Sequence, residues 1–149
     1  MFTRLLQSLG ARRHPPLPAA DEKRALGALM VRIAKSDRHY DVAEIRRIDR
    51  LLARLHGLGP VEAAKMRATC EKLEHAAPDS DRFGHLIRET VPRGTRRAAL
   101  AALWEVVLSD GETPKQELHV LDAARTAMGL TEQESDAARA RAAGQTDAK

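Results

Sequence analysis

SDRHYDVAE at Ser36–Glu44 and SDGETPKQE at Ser109–Glu117 are two versions of one phrase. Each closes an apolar stretch with Ser-Asp, sets a Glu seven residues after the Asp, and leads into an amphipathic segment that stops at Gly-Leu. A phrase repeated together with its flanking pattern marks one supersecondary unit used twice. Upstream of the copies lie ALGALMVRIA, residues 25–34, and AALAALWEVVL, residues 98–108. Both are apolar on nearly every helical face, as expected of helices buried on all sides.

Working outward, the pattern stays helical. Asp41-Val-Ala-Glu44 is similar to a capping box, and Ile45, Ile48, Leu51, Leu52 and Leu55 follow as one apolar stripe. Arg46, Arg47, Arg50 and Arg54 are expected on the opposite, outward side. Gly57 suits a left-handed helix stop. Pro60 opens a third helix to about His75, and 78–81 caps a fourth holding Phe83, Leu86 and Ile87. Pro92-Arg93-Gly94 breaks the pattern before the second copy. There, Thr113-Pro114 starts a helix, Gly129-Leu130 stops it, and Thr131–Glu134 is a capping box for the last one. Aligning Asp37 with Asp110 and Glu44 with Glu117 pairs Ile45 with Leu118, Ile48 with Leu121 and Leu55 with Met128. The core positions therefore repeat in register with the acids.

The expected fold is all-α, with about seven helices in two pseudo-symmetric repeats around the two apolar ones. Abundant Ala, Leu and Arg favour helix, and runs of β-branched residues are missing. Residues 1–19 form an amphipathic segment (Phe2, Leu5, Leu6, Leu9) and a Pro-rich linker, residues 20–143 the helical domain, and residues 144–149 a disordered polar tail. If the two apolar helices cross antiparallel, the acidic phrases lie at opposite ends; if they lie nearer to parallel, they converge. The sequence leaves both arrangements open.

Composition narrows the function classes. Cys70 is the single cysteine, so an intrachain disulfide is excluded and a reducing, cytoplasmic setting fits. No apolar run approaches the roughly 18 residues of a membrane span. The net charge of +4 comes mostly from Arg. Without a recognition motif or aromatic stacking platforms, nucleic acid is not the expected partner. A protein partner is expected, with peripheral membrane contact through residues 1–10 as a further route. A nucleophile–base pair, a phosphate-cradling Gly loop and a His-based metal motif are all missing, which points away from an enzyme.

The acidic phrase resembles the TerB-like family, which includes the tellurite-resistance proteins and the N-terminal domain of a membrane co-chaperone. The resemblance spans about residues 20–143 and rests on the apolar helix ending in Ser-Asp-Gly-Glu, the Glu seven after the Asp, and the Gly-Leu stop before an acidic helix start. It implies an all-helical, non-catalytic module tied to tellurite resistance and stress response. It also implies a divalent-cation site, calcium or magnesium, on Asp110, Glu112, Glu117, Asp37 and Glu44. The first copy departs from the pattern, with Arg38 in place of Gly111 and His39 in place of Glu112. From the residues alone, clustered carboxylates are what a hard cation requires, although the alternating ligands of an EF-hand are missing. Helix capping by Asp41 and Glu44, and turn hydrogen bonds to Asp37 and Asp110, account for much of the same pattern. The alternative function is a metal-independent adaptor for a protein or membrane surface.

Overall fold

A computed structural model of the chain describes residues 21–36, 40–77, 81–109 and 115–147. Among them are seven helices and no strand: α1 (Glu22–Lys35), α2 (Val42–His56), α3 (Pro60–Ala76), α4 (Asp81–Thr90), α5 (Arg93–Leu108), α6 (Lys115–Ala127) and α7 (Glu132–Asp147). The amphipathic segment expected before residue 20 lies outside the described residues.

Several of the described helix ends follow from local chemistry. Asp21 caps α1, its carboxylate accepting from Arg24 N at 2.8 Å and from the Arg24 guanidinium at 2.6 Å. Asp41 caps α2 by accepting from Glu44 N at 3.0 Å. Gly57, at φ 63°, turns the chain out of α2, and Leu58 N donates back to Ala53 O at 3.0 Å. Gly129, at φ 72°, does the same after α6, with Leu130 N donating to Arg125 O at 3.2 Å. The box opening α7 is reciprocal: Glu134 N donates to Thr131 Oγ1 at 3.1 Å, and Thr131 N to Glu134 Oε1 at 2.9 Å. Proline opens α3 at its first position. Arg93 and Gly94, read as part of a break, are instead the first residues of α5, with Pro92 at its N-cap. At the far end α7 runs through Gly144, where the polar tail was expected to begin, to Asp147. One helical Gly costs only about 1 kcal/mol relative to Ala, which the preceding turns can carry.

The two apolar helices are the centre of the molecule. Buried residues run from Ala25 to Val31 in α1 and from Ala99 to Val107 in α5. α1 packs on α2, α3, α4, α5 and α6, while α5 packs on α1, α2, α4, α6 and α7. The most extensive contacts are α1 with α3 and α5 with α7, so each central helix is covered mainly by the helix two further along. The first is close because Gly27 faces Cys70: a Cβ on Gly27 would lie 2.3 Å from Cys70 Sγ. In the second, the Trp104 indole N–H donates to Ser135 Oγ at 3.0 Å inside the core, and the Arg139 guanidinium lies 5.1 Å from the Trp104 ring centroid.

The core positions paired by the repeat in the sequence differ in burial from pair to pair. Ile48 and Leu121 are both buried. Leu55 and Met128 differ, since Met128 is fully buried whereas Leu55 is 37% exposed. Among the described residues no helix is long and apolar enough to cross a membrane.

Candidate functional site

Glu44 lies in the first turn of α2 and Glu117 in the first turn of α6. The two carboxylates, which stand in different halves of the chain, line one recess of about 10 Å³ together with Arg47, Val106 and Ser109. That volume is about what one water-sized group occupies. Of the two arrangements left open by the sequence, these glutamates take the converging one. Glu117 is 2% exposed, an unusual degree of burial for a carboxylate. The remaining sequence-derived candidates, Asp37, Asp110 and Glu112, lie outside the described residues, as does His39.

The serines of the doubled phrase have one structural role in both copies. Ser36 Oγ donates to Ile33 O and Ser109 Oγ to Val106 O, each at 2.7 Å, so each hydroxyl satisfies a carbonyl in the last turn of a central helix. Ser109 Oγ also accepts from Arg47 Nη1 at 3.3 Å. Arg47 corrects the expectation that all four arginines of α2 face outward; Arg54 stays exposed, but its guanidinium meets Glu105 at 2.5 Å. Positions 44, 47, 51 and 54 follow the helical period and form a flank of α2 that faces α5. That spacing is visible in the sequence, but nothing local to it distinguishes a paired Arg from a solvated one. Glu105 interrupts the apolar run of α5 and is 8% exposed; the ion pair explains how it can be buried there.

Other arginines are likewise engaged. Arg93 and Arg97 both pair with Glu134, at 2.5 and 2.6 Å, and Arg96 donates to Val91 O and Met128 O. The Arg93 guanidinium above all, then the Thr131 N–H and Arg97, hold the Glu134 carboxyl well below the usual carboxylate range. Arg93, Arg96 and Arg97 of the basic stretch thus find partners within the chain, while Arg93 and Arg97 stay exposed to solvent. A second polar network joins α2 to α3: Arg67 bridges Asp49 at 2.8 Å and Glu71 at 3.1 Å, and the Tyr40 hydroxyl donates to Glu71 Oε2 at 2.6 Å. Burial, followed by Glu71, pushes the Tyr40 phenol far up, so it stays a donor at any working pH. Cys70 is fully buried, and burial pushes its thiol up to about 12. A buried, fully protonated thiol is neither nucleophile nor ligand.

The donors at the recess are oxygens, two carboxylates and a hydroxyl, which suits a hard cation in kind. In number they fall short, because among the described residues no group of three or more His, Cys, Asp or Glu side chains is placed to hold a metal. Asp110 directly follows Ser109 in the chain. Arg47 brings a positive charge into the same recess and works against a cation there.

The fold and recess define a small all-helical module whose two halves meet at a buried acidic junction. The chain belongs to the family described as tellurite resistance protein TerB, whose profile matches residues 23–140. No match was found among curated proteins or among solved structures.

Proposed function

We propose that this chain is a non-catalytic, cytoplasmic helical module that takes up one hard divalent cation, calcium or magnesium, where its halves meet, and acts through binding in tellurite resistance or a related stress response. The carrying observation is that Glu44 and Glu117, each seven residues after an Asp, line one recess. Asp37, Asp110 and Glu112 are the groups that would complete the oxygen set a hard cation requires. The cation would supply no reaction; it would tie the start of α2 to the start of α6 and neutralise carboxylates that are otherwise close together.

Arg47 supports a second reading. A guanidinium in the recess already supplies counter-charge, and the module then serves as a metal-independent adaptor for a protein or membrane surface. Calorimetric titration of metal-free protein with calcium, magnesium and manganese separates the two. Under the cation reading, binding heat is present in the wild type, lost in Asp110→Asn and Glu117→Gln, and strengthened in Arg47→Ala. Absence of heat with every ion, in wild type and Arg47→Ala alike, leaves the adaptor.

A further inference from the structure

At the start of α1 lies a groove of about 350 Å³, within the range of cavities that bury a ligand. Its walls are the first turn of α1 (Lys23, Leu26), the last turn of α2 (Leu55, His56), the end of α4 (Ile87, Val91) and the first turns of α5. The lining is mainly apolar, and it includes Leu55, one of the few large apolar side chains left exposed. It also includes a polar atom that needs a partner: His56 Nε2 is buried and makes no hydrogen bond among the described residues. Burial, followed by Lys23, holds the His56 imidazole below its ordinary pKa, so the ring is neutral near pH 7. An apolar channel with one neutral acceptor or donor at its edge suits an amphipathic peptide face.

We propose that this groove is the docking site of the chain's own segment Phe2–Leu9. The argument is where that segment is tethered. Residues 1–20 lead directly into Asp21, and the next two residues, Glu22 and Lys23, belong to the wall of the groove. The linker from Gly10 to Ala20 reaches on the order of 35 Å when extended, and a helix over residues 2–9 is about 12 Å long. The segment can therefore fold back over the groove without strain. Phe2, Leu5, Leu6 and Leu9 recur at helical spacing, and on that wheel Thr3 and Ser8 flank the apolar stripe. Their hydroxyls supply the kind of group that His56 Nε2 requires. Tethering keeps the segment at a high effective concentration, so modest burial of Leu55 and its neighbours suffices to hold it.

The test places a nitroxide on the segment of the full chain through Gln7→Cys. Cys70 is buried with a raised thiol pKa and does not take the label. The expected result is loss of amide NMR signal at Leu55, Ile87, Val91 and Ala98, with the recess residues Arg47 and Ser109 unaffected. Adding Leu5→Asp/Leu6→Asp to the labelled chain should restore those signals. Unchanged amide signals at Arg47 and Ser109 in that variant report that the fold itself is retained. Undiminished signals at the groove overturn the proposal. So does signal loss seen only when labelled, unenriched protein is mixed with unlabelled, isotope-enriched protein, because the occupant is then a second copy.

Discussion

Gly27 shows how closely two helices depend on one missing methyl group. A Cβ there would lie 2.3 Å from Cys70 Sγ and 3.3 Å from Cys70 Cβ, and both residues sit in the middle of their helices, where neither backbone yields easily. Alanine in a helix interior normally gains about 1 kcal/mol over glycine. Overpacking a tight core costs typically about 1–3 kcal/mol, and the sulfur contact is close enough for that term to win. Gly27→Ala is therefore expected to lower stability in urea titration. Cys70→Ala removes the sulfur that clashes, so the double variant should be less destabilised than the sum of the singles. Strict additivity would mean that the two residues are not in contact. Ser135 is the corresponding case at the other central helix. Ser135→Ala strands the buried Trp104 N–H and should cost about 1–3 kcal/mol, whereas Ser135→Thr, which keeps a hydroxyl, should cost less.

Among the elements, α7 is tied to the start of α5 by charge as well as by packing. Glu134 closes its capping box and also receives Arg93 and Arg97 from the start of α5. Its carboxyl pKa is depressed in the folded state, so the unfolded chain binds the proton more readily. The stabilisation is therefore complete above the unfolded glutamate pKa of about 4.3 and is lost as pH falls below it. Glu134→Gln should melt below the wild type at neutral pH, and the gap should close in acid. A gap independent of pH would show that the carboxylate charge contributes nothing. This box was legible in the sequence because Thr131 and Glu134 lie in one turn and need no distant partner to be recognised. The stops at Gly57 and Gly129 and the start at Pro60 were legible for the same reason. Arg93 and Arg97 were not, since their partner is about forty residues away in the chain and nothing local distinguishes a solvated Arg from a paired one.

At the scale of the whole molecule, the doubled phrase indicated an all-helical fold, but not whether Glu44 and Glu117 would meet. That depends on how two distant helices cross, a choice made by packing across the molecule. Leu55 has the same origin: its register partner Met128 is buried, yet the ends of α1, α4 and α5 leave a groove beside Leu55 instead of covering it. The packing of α1 on helices from both halves, and of α5 likewise, bears on cooperativity. A chain built from two copies could unfold in two steps if each copy carried its own core. Here the buried residues form one contiguous cluster in which Leu29 of α1 and Leu103 of α5 are both fully buried. Leu29→Ala and Leu103→Ala should each cost about 2–5 kcal/mol, and each should shift a single transition. Circular dichroism and Trp104 fluorescence check this, because Trp104 lies only in the second half. Under one cooperative core, Leu29→Ala moves the fluorescence midpoint as far as the helical signal. A fluorescence midpoint left at the wild-type value would show two halves that fold apart.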